Sequence, residues 1–313
     1  MNTMFNKKSF TRFLVLCSLT WVSMLGAVNA QDLNTQMSQA NKAWEDRQYD
    51  KCQAIFDRIV TNYGARSTML YGPKFGVIYY RKGLSELKLA DIAKRGNNKD
   101  AATKWFEEAA KSFETCYKKY PNGAAGMPQT TNGAHKASLQ RWAEASMGKQ
   151  DYKEAIKLYQ KFLNERDKGR DKLLPTPGGF YINLAICHFL MEKPQIPQGI
   201  SHFETALKNK TRMRTQNAGI VAAFLALSQA VIQQKNESAM VDFLNKNRAD
   251  ITLAPYQMYE FTPVFLKLAS NALEADMFIA AFNLYALVPG TEEVIQDIKE
   301  IERLKRRNDK KSR

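Results

Sequence analysis

Asp151-Tyr152-Lys153-Glu154-Ala155-Ile156-Lys157-Leu158-Tyr159-Gln160-Lys161-Phe162-Leu163-Asn164-Glu165-Arg166-Asp167 is the stretch that decides the fold of this 313-residue chain. Ala155, Tyr159 and Phe162 fall on one face of a helix, with Tyr152 just ahead of them. The template returns at Tyr49, Cys52, Phe56 and Ile59, and again at Phe106, Ala109, Phe113 and Cys116. A weaker copy runs through Gly199, Phe203 and Ala206. A supersecondary unit that recurs in this way implies an array, because each unit buries its apolar face only against its neighbours.

In these positions the chain resembles the tetratricopeptide repeat family. That motif is a helix hairpin with a small residue early in its second helix, a ring four residues later and an apolar position three further on. The first helices also match, at Asn183-Leu184-Ala185 with His188, and at Trp142-Ala143. Small residues let two helices approach, and rings fill the space between hairpins. Of the closing positions Gly64, Pro121, Asp167 and Thr211, only Pro121 is the family's proline. Two further hairpins, Gly219 to Asn247 and Phe261 to Val288 (stopped by Pro289), carry weaker motifs. The resemblance implies an all-α fold, a right-handed α-solenoid of about six tetratricopeptide-like hairpins over residues 31–290.

The spacing departs from the simple repeat. Phe56, Phe113, Tyr159 and Phe203 lie 57, 46 and 44 residues apart, against roughly 34. The excess is expected in three places: Lys94 to Asn98, the turn-rich run from Pro121 to Gly133, and Asp167 to Gly179. Long loops inside a compact array serve either as binding elements or as neutral spacers.

Residues 1–30 carry Lys7, Lys8 and Arg12, then an apolar run from Phe13 to Leu25, and end on Val28-Asn29-Ala30. That is the anatomy of a cleaved secretory signal peptide. Leu16 ahead of Cys17 does not fit a lipoprotein cleavage site. No later segment has the apolar length of a membrane span, so a soluble, periplasmic mature chain of a Gram-negative bacterium is expected. The chain holds 46 basic and 31 acidic residues, net +15, and the leader accounts for three of the basic ones. Residues 291–313 form a C-terminal basic helix or tail that opens on Thr291-Glu292-Glu293. From Lys299 to Arg313 eight basic and three acidic residues give net +5. Such a tail suits an anionic surface as readily as it suits a solvated helix end, and export argues against nucleic acid.

Nothing in the pattern points to catalysis, a metal or a cofactor. There is no phosphate-cradling glycine loop, no paired zinc histidines and no nucleophile elbow. His135, His188 and His202 are scattered, and His188 reads as a packed helix residue. Cys187 and His188 are adjacent on a helix and so do not face each other. Carboxylate pairs such as Glu107-Glu108 and Glu292-Glu293 read as solvated faces or helix starts. Cys52, Cys116 and Cys187 occupy buried-type positions, and their odd number does not make a disulfide framework. Whether any two of them pair is open at this level.

Binding is therefore the expected work. In the family it resembles, first helices line a concave groove, and the matching positions here are Asn41, Tyr80, Lys88, Gln140, Glu144 and Asn183. Amides, a ring and mixed charges suit an extended peptide. The segments Tyr71 to Gly83 and Phe180 to Phe189 also resemble exported bacterial repeat proteins associated with ExbB/ExbD or Tol–Pal type energy transducers. That resemblance implies a periplasmic scaffold or adaptor binding a protein partner in the cell envelope. The alternatives are a co-chaperone or carrier for exported or outer-membrane proteins, and a glycan- or cell-wall-binding module using Trp44, Trp105 and Trp142.

Overall fold

The computed structural model describes residues 32–64, 75–120, 133–167, 178–208, 217–251 and 255–311. The expected signal peptide, the runs 121–132 and 168–177, Tyr71 and Thr211 lie outside the described residues. The fold class is the expected one: among the described residues the chain is all-α, a series of helix hairpins. Helix α1 covers residues 32–45, followed by α2 (Tyr49–Tyr63), α3 (Gly76–Arg95), α4 (Lys99–Lys119), α5 (Gly133–Gly148) and α6 (Tyr152–Asp167). Then come α7 (Gly178–Leu190), α8 (Ile196–Lys208), α9 (Asn217–Gln234), α10 (Glu237–Ile251), α11 (Pro255–Glu274), α12 (Phe278–Tyr285) and α13 (Glu292–Lys311). The chain divides into two compact units, residues 1–145 and 146–313. No helix among the described residues is long and apolar enough to cross a membrane.

Five connections share one turn. Arg47, Asn97, Gln150, Lys235 and Asp276 all take positive φ, between 51° and 67°. Each donates its N–H three residues back, and the next residue donates five back, as in Gln48 to Ala43 (2.8 Å) and Met277 to Ala272 (2.8 Å). These are the paired bonds of a left-handed helix stop, here made without glycine. The residue after the stop opens the next helix. Asn98, Asp151 and Asn236 each accept a backbone N–H three residues on, at 3.1, 3.1 and 3.3 Å, which satisfies a donor that the helix itself leaves free. Stop and start thus occupy two residues, and the second helix must run back along the first.

This overturns one expectation. Lys94 to Asn98 is not an insertion into a hairpin; it is the same turn, between α3 and α4. The extra length lies instead in the helices themselves, 20 residues in α3 and 21 in α4. The α7–α8 connection differs from the other five. Gln195 N–H bonds His188 O at 2.9 Å, and Gln233 and Gln234 on α9 donate to the carbonyls of Glu192 and Pro194.

In the first unit Phe56, Phe75 and Ile59 are buried beside Tyr79 and Tyr120, whose rings stack at 5.6 Å. A polar network crosses this core. Lys82 of α3 bonds the fully buried Glu86, lies 3.1 Å from Asp57 of α2, and reaches Ser112 of α4, which donates to Glu86 at 2.7 Å. In the second unit a relay of rings joins α8 to α11. Phe203 stacks on Phe243 (5.2 Å) and meets Phe224 edge-on (5.0 Å), and Phe224 meets Phe265 (5.3 Å). Glu237, at the start of α10, accepts the N–H groups of Ile279 and Ala280 at 2.7 and 2.9 Å, so one hairpin caps the first turn of the next.

The small positions are filled to contact. A Cβ on Gly199 would lie 2.3 Å from the Phe189 ring, and one on Gly83 would lie 2.8 Å from Phe113. Gly199→Ala is therefore expected to cost about 1–3 kcal/mol by overpacking, measured by urea unfolding. Asp151→Ala, which removes one helix cap, is expected to cost about 1 kcal/mol in the same assay.

Candidate functional site

In the first unit the first helices α1, α3 and α5 are linked by side chains that the sequence reading only partly foresaw. Asn41 is exposed on α1 and accepts a hydrogen bond from the Arg81 guanidinium of α3. One residue earlier, Tyr80 is half-buried, edge-on to Phe113 at 5.8 Å, and hydrogen-bonded to Arg141 of α5. Arg141 donates to Glu144 at 2.5 Å, and Gln140 donates to the other oxygen of Glu144 at 2.9 Å. Two polar groups thus flank α3: Asn41 with Arg81 on one side, and Tyr80, Arg141, Gln140 and Glu144 on the other. Burial pushes the Tyr80 phenol upward, with Arg141 opposing it, so the ring acts as a neutral donor and acceptor.

Beside Asn41 lies a pocket of about 340 Å³. Ala40, Trp44, Cys52, Phe56 and Leu84 make its floor and walls, with Asn41, Glu45 and Arg81 among its polar lining. Among the described residues Arg81 pairs with no carboxylate; its side chain holds a neutral amide. An apolar recess with a few convergent polar groups is the general form of a recognition pocket. Lys88 stands apart, exposed further along α3. Asn183 belongs to the second unit, half-buried on α7, where it donates to the Tyr159 hydroxyl of α6 at 3.0 Å.

Sequence reasoning missed Arg81 and Arg141. The available signal was register: Arg141 precedes Glu144 by one helical turn, and Arg81 follows Tyr80 in the stretch already singled out.

Cys52, Cys116 and Cys187 are buried and form no disulfide with one another, and burial pushes their thiols up to about 11, 11 and 12. Among the described residues no group of three or more His, Cys, Asp or Glu side chains is placed to hold a metal ion. Trp142 is buried against Tyr117 at 6.4 Å, while Trp44 and Trp105 are half-buried, so the three do not form an open platform for a sugar.

His188 is buried on α7, as expected of a packed residue, but the histidines are not all scattered. Its ring stacks on His202 of α8 at 5.3 Å, and His202 stacks on Tyr181 at 6.1 Å. His188 Nδ1 meets Gln195 at 2.8 Å, and its Nε2 has no hydrogen-bond partner. The two histidines lie 14 positions apart, a spacing that gave no local signal.

No family model matches the chain, and no curated protein matches it. Solved structures do. A putative kinesin light chain with nearly identical TPR-like repeats from Podosopora anserina is 15% identical over 70% of this chain and 93% of that one, with a TM-score of 0.38 to 0.39 in two crystal structures whose coverages of that chain are 94% and 93%. BtubC (BKLC) from P. vanneervenii is 12% identical over 82% of this chain and 92% of that one, with a TM-score of 0.42.

Burial lowers the affinity of both stacked histidines for protons from 6.5; the Gln195 hydrogen bond opposes this at His188, and His188 adds to it at His202. A base whose folded value is depressed stabilises fully above its unfolded value, and that share is lost as pH falls below it. Thermal stability is expected to fall from pH 7.5 to pH 5.5, and to fall less in a His188→Gln/His202→Gln variant. Thermal melts at the two pH values check this.

Proposed function

We propose that this chain is a non-catalytic protein-binding scaffold, an adaptor within a cell-envelope complex. It takes an extended protein segment across α1, α3 and α5. The observation that carries this reading is the pocket at Trp44, Phe56 and Leu84 with Asn41 and Arg81 at its side, and the second polar group of Tyr80, Arg141, Gln140 and Glu144 next to it on α3 and α5. Backbone groups of an extended segment need hydrogen-bond partners at regular intervals, and the amides and guanidinium groups of these two clusters supply them. An apolar side chain of that segment would enter the pocket and be anchored there, the arrangement in which a few residues supply most of the binding energy. The signal-peptide pattern of residues 1–30 supports a periplasmic site of action. The resemblance at Tyr71–Gly83 and Phe180–Phe189 supports ExbB/ExbD or Tol–Pal type subunits as the partner.

The test is in-cell crosslinking of the tagged chain, followed by affinity capture and mass spectrometry. It is run beside Arg81→Glu and Leu84→Asp. One dominant envelope complex is expected, its recovery reduced about tenfold or more by each substitution. Equal capture by both variants would remove the pocket from the reading. A broad spread of unfolded exported clients would replace the adaptor with a co-chaperone.

A further inference from the structure

The pocket beside Asn41 holds one charge of each sign, and neither meets a counter-ion among the described residues. α1 presents Ala40, Asn41, Trp44 and Glu45 to it, residues that a helix brings onto one face. The Arg81 guanidinium of α3 donates to the side-chain oxygen of Asn41, a neutral acceptor, so its charge and its other N–H donors stay uncommitted. The Asn41 side-chain nitrogen is a further donor without a partner among the described residues. Glu45 is exposed and lies one helical turn from Asn41, about 6 Å between Cβ atoms.

The rest of the lining carries no charge. Phe56 is 1% exposed, Cys52 is fully buried, and burial keeps that thiol protonated by raising it to about 11. Trp44 sits edge-on to Tyr49 at 5.1 Å, so its ring is set before a ligand arrives. A volume of about 340 Å³ is at the small end of ligand pockets and suits one residue rather than a run of them. Cation, anion and apolar recess therefore surround a space of single-residue size.

A residue inside a chain has a neutral amide on each side of its α-carbon, so an extended segment fills the recess and answers neither charge. A chain end answers one of them. A free amino acid carries carboxylate, ammonium and side chain on a single carbon. We propose that this pocket binds a free apolar amino acid as its zwitterion, with the carboxylate on Arg81 and the Asn41 amide, the ammonium on Glu45, and the side chain against Trp44, Phe56 and Leu84. The guanidinium fork matches a carboxylate and makes charge-assisted bonds about twice as strong as neutral ones. Glu45, being exposed, adds less. This ligand rests on the scaffold reading for its site, since it fills the recess assigned there to a side chain of the partner. While bound it excludes that side chain, so its concentration regulates the site.

The experiment is isothermal titration calorimetry of the full chain with L-leucine, N-acetyl-L-leucine and L-leucinamide. The acetyl compound lacks the ammonium, as the last residue of a chain does; the amide lacks the carboxylate, as the first residue does. L-leucine is expected to bind once per chain with a Kd of about 10–1,000 µM. The acetyl compound is expected to bind about threefold more weakly or worse, and the amide about tenfold more weakly or worse. Arg81→Gln is expected to remove the preference for L-leucine over the amide, and Glu45→Gln the preference over the acetyl compound. Glu45 is exposed, so the fold is not at stake in that variant. No binding of L-leucine at about 10 mM would overturn the proposal, as would equal binding of all three compounds or variants that leave both preferences intact. An acetyl compound that binds as tightly as L-leucine would overturn it in favour of a chain end. The titration needs no protein partner, so the two readings fail separately. Pocket-dependent capture without L-leucine binding removes the amino acid alone, and L-leucine binding with capture unchanged by Arg81→Glu removes the partner segment alone.

Discussion

The backbone turn shared by Arg47, Asn97, Gln150, Lys235 and Asp276 is the constraint on which the rest of the structure depends. Two hydrogen bonds end one helix, and the following residue begins the next, so the phase between two helices is set within two residues. With the phase fixed, which residues face the neighbour follows from helical arithmetic. Left-handed backbone disfavours residues other than glycine by about 1–2 kcal/mol. Recurrence of that cost with Arg, Gln, Lys and Asp shows that the paired bonds and the packing behind them outweigh it. Such strain is tolerated where the surroundings over-determine the conformation.

The repeat phase was legible in the sequence because small residues and rings at fixed spacing have one packing solution. Gly199 under Phe189 and the burial of Tyr159, Phe56, Phe113 and Phe203 follow directly from it. The turns were illegible for the opposite reason: without glycine, nothing local marks a left-handed stop. Lys94 to Asn98 therefore read as an interruption, while Gly96 has φ −77° and leaves the left-handed position to Asn97. Contacts between helices were the least legible. Tyr80 with Arg141 and His188 with His202 depend on how helices lie side by side, and their partners are far apart in sequence.

The network of Lys82, Glu86, Asp57 and Ser112 shows how a polar core and a binding face are built on one helix. Burying Glu86 raises its proton affinity, with Lys82 opposing the effect. Desolvation alone would lower the Lys82 ammonium, yet the carboxylates of Glu86 and Asp57 outweigh it and hold it charged. A buried pair of this kind adds little net stability against an apolar alternative, whereas removing one partner costs about 3–5 kcal/mol. Through it α2, α3 and α4 meet at one point, each supplying a group to the network.

That meeting point governs the proposed recognition face. Tyr80, Arg81 and Lys82 are consecutive, so successive side chains point about 100° apart around α3. Anchoring Lys82 toward Asp57 and Glu86 leaves Arg81 toward Asn41 and the pocket, and Tyr80 toward Arg141. A rotation of α3 that freed Arg81 from the pocket would also pull the Lys82 ammonium away from the buried Glu86 and the exposed Asp57. The positions of Tyr80 and Arg81 are thus set from below by the Lys82 network, and under the proposed function these side chains need little ordering on binding.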